Sequence, residues 1–523
     1  MKIAIRIVLF ALLISGCKKE DENLIKIPHN QNPGDFTVEV TQITNNSSLL
    51  NWNAAVDPDN DKVTYTIFLG ETEAQTNLET TEFLLESLQA QTNYKGKVVA
   101  SDSNGNTSEN TFDFITAEDE IFDKEVAVVW QKSLGGTLDD EAYEIQRTND
   151  GGYIIGGSSE SIDGDIGANK GAKDCWVVKL DNLGNIVWET SLGGSGNETI
   201  HGIQQTTDGG YIVGAFSSSS DGDVSGNNGM RDFWIVKLNA SGNLVWETSL
   251  GGSKDDILES ILQTEDGGYV AAGFSSSADG NVTENNGGAD AWVVRLDASG
   301  SLIWETNLGG SGGDIAVSVD QTIDLGFILA GYTSTAENKR DLWVAQLDAS
   351  GSLVWEKKLG GSENDEAISV QQTLDNGFIV GGYSNSSNGN VGENQGSSDA
   401  WIIKLNVSGE LLWEKTVGGS SSEVINEIKE VTEGGFIAVC STSSFDGDIS
   451  SNNGATDFWI LRLDVSASII WQTNLGGPGN DYGFSIEQAT DSGYIVAGSW
   501  YTNIVEAGEG STGDYNYWVV KLE

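Results

Sequence analysis

Between residues 126 and 523, short apolar runs of strand length alternate with turns rich in Gly, Asp, Asn and Ser, and the whole alternation recurs seven times. The second unit illustrates it: 202–206, 211–216, 233–238 and 243–250 read as four strands. The turns Thr207-Asp208-Gly209-Gly210 and Asn239-Ala240-Ser241-Gly242 join them in pairs. A Trp-x-x-x-Leu-Gly-Gly signature begins at Trp130, Trp188, Trp246, Trp304, Trp355, Trp413 and Trp471, with Val417 in place of Leu once. These tryptophans are 58 residues apart, except for 51 between Trp304 and Trp355. A second tryptophan series, at 176, 234, 292, 343, 401, 459 and 518, opens runs of the Trp-Val-Val-Lys-Leu kind. Such a unit cannot bury both faces alone, whereas radial repetition buries them and leaves only short edges. The array opens on a lone fourth-type strand, 127–134, and ends on a third-type strand, 517–523; pairing these closes a ring, a phase an open solenoid has no reason to adopt. The reading is all-β: a seven-bladed β-propeller of four-stranded blades over 126–523.

From 34 to 118 the pattern becomes alternating strands separated by Asn, Asp and Gly turns, as expected of a small antiparallel sandwich, with 119–125 as a linker. Trp52, Leu88 followed by Tyr94, the run Val98-Val99-Ala100-Ser101-Asp102 and Gly105 resemble a fibronectin type III domain, in which Leu88 and Tyr94 match the tyrosine corner. That resemblance implies a spacer or a binding module. Asp57-Pro58-Asp59-Asn60-Asp61 reads either as a loop of Asx-turns or as a calcium loop. In the propeller, Asp297, Gly300 and Trp304 resemble the tryptophan-docking motif of quinoprotein-type propellers, which implies a Trp packed between adjacent blades.

Residues 1–17 read as a signal peptide, with Lys2 and Arg6 ahead of an apolar run too short to span a bilayer. Leu13-Ile14-Ser15-Gly16-Cys17 resembles a bacterial lipobox, which implies that Cys17 is diacylated and anchors the chain to a membrane. Lys18-Lys19-Glu20-Asp21-Glu22 is similar to the export signal of surface lipoproteins in Bacteroidota-type bacteria, and 18–33 reads as a flexible tether. The expected location is the outer membrane, facing the cell surface.

Composition narrows the function. A formal net charge of −51 disfavours nucleic acid, which needs clustered Lys and Arg. Cys175 and Cys440 fall at apolar positions far apart and read as buried thiols. After each Gly-Gly comes an acid, Asp140, Glu198, Asp256, Asp314, Asp365, Glu423 and Asp481: a ring that is either a cation-attracting mouth or a turn-capping device. Repetition in every blade favours the second. A long loop between second and third strands carries Asp163 and Asp165, Asp221 and Asp223, and Asp446 and Asp448, with weaker copies at Asp279 and Asn388. Oxygen ligands with glycine at close spacing suit Ca²⁺, and Asx-turns are the alternative. Blade four has Lys339-Arg340 instead of this loop, and the last blade has Trp500-Tyr501. An asymmetric ligand site is expected at these departures. No nucleophile elbow, phosphate loop or histidine cluster is present, so a monomeric binding protein for a glycan or protein is expected, ahead of an envelope assembly scaffold or a carbohydrate-active enzyme.

Overall fold

The computed structural model describes residues 30–116 without 42, 44–46, 71, 86–87 and 90–91, and then 126–334, 339–502 and 514–523. Cys17 and the leader read around it lie outside the described residues. The chain divides into two compact units, Met1–Glu120 and Ile121–Glu523, and every described element is a strand.

The first unit is a sandwich of β1 (Val38–Thr41), β2 (Ser48–Trp52), β3 (Thr64–Leu69), β4 (Thr72–Leu78), β5 (Glu82–Leu85), β6 (Asn93–Ser101) and β7 (Thr107–Ile115). Its sheets run β1-β2-β5 and β4-β3-β6-β7. Period-two alternation along β2 buries Ser48, Leu50 and Trp52 between them. Trp52 lies edge-on to Tyr65 at 5.3 Å, and Ile67, Val98, Ala100, Phe112 and Phe114 complete the core. The Tyr94 hydroxyl accepts the N–H of Gln89 at 2.8 Å, tying the corner to the following strand. Asp57 Oδ1 accepts the N–H groups of Asp59 and Asp61, at 2.9 and 3.0 Å, so in this loop it caps a turn.

The second unit is seven four-stranded antiparallel sheets, the blades of a β-propeller. The first strands, Asp140–Arg147, Glu198–Gln205, Asp256–Gln263, Asp314–Gln321, Asp365–Gln372, Glu423–Glu430 and Tyr482–Gln488, pack on one another around the ring, the last against the first. Second and third strands such as Tyr153–Ser159 and Asp174–Leu180 are buried along their whole length, which is why they read as continuous apolar runs. Fourth strands such as Ile186–Leu192 form the half-exposed outer edge. Closure is a strand pair: Asp514–Leu522 lies antiparallel to Val128–Leu134, with Tyr517 opposite Leu134 and Lys521 opposite Trp130. Ala127 and Glu523 exchange two backbone hydrogen bonds of 3.1 and 3.0 Å beyond it.

The two tryptophan series do different jobs. The third-strand series is buried, and Trp176, Trp234, Trp292, Trp343 and Trp401 each donate the indole N–H to the Glu that follows the other tryptophan, at 2.8–3.0 Å. Burying each ring stabilises the blade by roughly 3 kcal/mol. The other series lies across the next blade. Trp188, for example, packs on Tyr211 at 5.5 Å and against Gly242, whose φ is +79°. Glycine is needed there twice over, for the left-handed backbone and because a methyl on it would lie 2.7 Å from the Trp188 ring. Cys175 and Cys440 are buried free thiols.

Candidate functional site

Every first strand carries a β-bulge at the same place. In blade one, Ala142 pairs with Gly157 and Glu144 with Gly156, which leaves Tyr143 as the extra residue. The equivalents are His201, Glu259, Val317, Ile368, Asn426 and Phe484. A bulge frees one residue from the ladder and re-aims its side chain. All seven line a central channel whose cavity is about 440 Å³. The seven positions carry seven different residues, and the periodicity of the sequence does not single them out.

The channel wall has three kinds of surface. On one side His201 Nδ1 is 2.6 Å from Glu259 Oε2, and its ring stands 5.5 Å from Tyr143. Burial alone would lower the imidazole pKa, but the charge of Glu259 and the hydrogen bond to it raise it, favouring imidazolium. Val317 and Ile368 make an apolar stretch. On the remaining side Lys429 Nζ pairs with Glu427 Oε1 at 2.7 Å and Glu487 Oε1 at 2.9 Å. Glu427 Oε2 also accepts from Ser485 Oγ and the Ile486 N–H, at 2.9 and 2.7 Å. Burial, and next the charge of Glu427, push the Glu144 carboxyl well above the ordinary range against the pull of Lys429. A carboxyl, a histidine–carboxylate pair, a phenol and an ammonium thus converge on one cavity. The chemistry is that of hydrogen-bonding recognition of a polar group. Among the described residues no cluster of three or more His, Cys, Asp or Glu is gathered to hold a metal.

The residues singled out from sequence lie elsewhere. The seven repeated acids are buried, and each turns its carboxylate back onto the N–H of the second glycine of its own turn. The distance is 2.7 Å for Asp140, Asp256 and Asp481, 2.8 Å for Asp314, Asp365 and Glu423, and 2.9 Å for Glu198. The Asp–Gly–Asp loops reach the same turns from the other side. Asp163, Asp221 and Asp446 accept the N–H groups of Thr137, Ser195 and Ser420 at 2.9, 2.7 and 2.7 Å. Asp165, Asp223 and Asp448 accept those of Gly135, Gly193 and Gly418 at 3.2, 3.1 and 3.0 Å.

Lys339 is paired with Glu363. Arg340 reaches Glu366 Oε1 at 2.6 Å and lies over the Tyr332 ring at 4.5 Å. Trp500 packs on Trp518 at 4.6 Å and Tyr501 on Tyr515 at 5.4 Å, both half-buried. The basic pair belongs to blade four and the aromatic pair to blade seven, and no contact among the described residues joins them. Their separation follows from the blade order already read in the sequence.

Residues 31–114 match the family model of the fibronectin type III domain. That segment is a fibronectin type III domain. The chain is also similar to the regulatory protein FlaEY of Caulobacter vibrioides (strain ATCC 19089 / CIP 103742 / CB 15), 24% identical over 213 residues. The match spans 36% of this chain and 22% of that protein's length. Among solved structures, YCF48 bound to D1 peptide aligns with a TM-score of 0.40 and 6% identity, over 75% of this chain and 94% of that one. Sqt1 from Chaetomium thermophilum aligns with a TM-score of 0.38 and 13% identity, over 74% and 87%. The propeller fold itself rests on the strand pairing and closure described above. Fibronectin type III domain and propeller together point to binding or interaction.

Proposed function

We propose that the chain is a lipid-anchored protein of the outer membrane, held by acylated Cys17 and facing the cell surface. In this reading the fibronectin type III domain is a spacer, and the propeller holds a polar group of a glycan or protein ligand at its central channel. The observation that carries it is the bulge series: seven equivalent positions bear seven different side chains around one cavity. Two measurements test the reading. Protease applied to intact cells is expected to remove the protein, while full protection would place it inside the envelope, as an assembly scaffold requires. A glycan and peptide screen, run with and without calcium because of the Asp–Gly–Asp loops, is expected to yield a ligand whose affinity drops about tenfold in His201→Gln, the loss of roughly one charge-assisted hydrogen bond. Turnover of the ligand would argue for an enzyme instead.

A further inference from the structure

In blades one, two, three, five and six the loop between second and third strands has fourteen residues: 160–173, 218–231, 276–289, 385–398 and 443–456. It lies over the Gly–Gly turn leading into its own blade and answers the donors of that turn. In blade two, Asp223 Oδ2 accepts the Gly193 N–H at 3.1 Å, Asp221 Oδ1 the Ser195 N–H at 2.7 Å and Ser219 Oγ the Gly196 N–H at 2.8 Å. The Asp223 N–H then donates to the Gly193 carbonyl at 2.9 Å. An Asp-Gly-Asp peptide therefore fills a notch made of backbone donors and one backbone acceptor.

Blade four has the same turn, Gly309-Gly310-Ser311-Gly312, but only five residues, 335–339, between its second and third strands. The Gly310 N–H reaches Asp314 Oδ2 at 2.8 Å, as in every blade. No described residue accepts from the N–H of Gly309, Ser311 or Gly312. A methyl on Gly194 would lie 2.4 Å from the Asp221 carbonyl, whereas one on Gly310 would meet nothing within 4 Å. The space is a cavity of about 270 Å³, lined by this turn together with Ser334, Trp343, Glu356 and Lys358. Lys358 stands opposite the buried Trp343, where the five blades with long loops have Ser191, Ser249, Asn307, Thr416 and Asn474. Blade seven, which also lacks the Asp–Gly–Asp loop, resolves the same situation differently. Pro478 replaces Ser311, removing the donor, and Tyr501 packs against Gly479. Blade four keeps its donors and adds a cation.

We propose that this notch binds an Asp-Gly-Asp-type segment of a partner protein, which takes the place of the loop that blade four lacks. The segment's first carboxylate accepts the Ser311 N–H and its second the Gly309 N–H, the N–H of the second acid donates to the Gly309 carbonyl, and Lys358 supplies the counter-charge. A peptide fits better than an acidic sugar because all five filled notches use a backbone donor, from Asp165, Asp223, Asn281, Asn390 and Asp448, beside side-chain oxygens. These are carboxylates in blades one, two and six, one carboxylate and one amide in blade three, and an amide in blade five. The site is separate from the central channel, so either can fail without the other.

The test uses the whole protein and a fluorescent peptide copying 219–225, Ser-Ser-Asp-Gly-Asp-Val-Ser, read by anisotropy. One peptide is expected to bind per chain. Gly310→Leu, which fills the notch, and Ser311→Pro, which copies blade seven, are each expected to weaken binding more than about tenfold with the melting temperature kept. Lys358→Ser should weaken it less. An Asn-Gly-Asn peptide, which copies the segment of blade five but has no charge to pair with Lys358, should bind more weakly than Asp-Gly-Asp to the native protein and about equally to Lys358→Ser. The proposal is overturned if the peptide does not bind at millimolar concentration, if binding survives Gly310→Leu, or if a uronate oligosaccharide binds in a Gly310→Leu-sensitive way while the peptide does not.

Discussion

Asp232 and Asp457, the first residues of their third strands, are almost fully buried, and each faces the turn-capping acid of the following blade. A methyl on Gly251 would lie 2.4 Å from Asp232 Oδ1 and 2.6 Å from Asp256 Oδ2, so the two carboxylates share one small space. Burial, and then the charge of Asp256 or Asp481, pushes Asp232 and Asp457 up to about 6. Asp232 Oδ1 and Asp457 Oδ1 have no hydrogen-bond donor among the described residues. Because the folded pKa is above the unfolded value of 3.8, their contribution to stability is complete below about pH 4 and lost as pH rises through about 6. Asp150 and Asp208 behave in the opposite way. Although burial opposes it, Thr148, Gly152 and Lys179 hold Asp150 at about 2, and Thr206, Gly210 and Lys237 do the same for Asp208, so their contribution is lost only in strong acid. The melting temperature is therefore expected to be higher at pH 5 than at pH 7.5, with a smaller difference in Asp232→Asn. A midpoint that rises from pH 5 to 7.5 would contradict the acid pairs. At this scale the sequence showed which acids repeat, but not that two of them meet across six of the seven blade junctions, Asn516 facing Asp140 at the seventh.

Strands and turns were legible as elements because their signals are local: side-chain alternation, buried apolar runs and glycine where φ is positive. The docking turn shows how far that goes. Asn239-Ala240-Ser241-Gly242 reads as a turn from its composition, yet only the packed structure shows Trp188 of the preceding blade resting on Gly242. Gly242→Ala is expected to destabilise the propeller by about 1–2 kcal/mol, from the left-handed backbone alone, with contact against Trp188 adding to it. Urea denaturation measures the change, and an unaltered midpoint would mean that the turn relaxes freely. Blade six has Ala467 at φ +59° in the equivalent turn, so the conformation is attainable with a methyl. The bulges were not legible. An extra residue in a strand leaves the turn-to-turn spacing unchanged from unit to unit, and only the register between strands exposes it.

For the propeller as a whole, one strand decides whether the ring is closed. Val128–Leu134 completes the last blade, places Trp130 against Gly184 of the first, and lets Trp518 donate to Gln131 at 3.2 Å. Removing 127–134 uncovers the edge of Asp514–Leu522 and the apolar contacts of Trp130 and Leu134. A loss of at least about 5 kcal/mol is expected, from burial of two large apolar side chains and the hydrogen bonds of the pair. Self-association through the free edge should accompany it. Denaturant unfolding and size-exclusion chromatography read the two effects, and a monomer of unchanged stability would show that the seven blades hold together without the closing pair.

The sequence by itself determined the number of blades, their four-stranded plan, the phase that allows closure and the sandwich ahead of them. These follow from periodicity, turn chemistry and buried apolar runs, all set over a few residues. Only the tertiary structure decided what the polar residues do. Which N–H a carboxylate accepts depends on which backbone comes within about 3 Å after folding. For Asp221 the partner is Ser195, in a turn that precedes it by half a blade. For His201 it is Glu259, one blade away across the channel wall. The notch of blade four joins a turn that kept its donors to a loop five residues long without an Asp-Gly-Asp stretch, and strand pairing across the blade is what brings those two segments together.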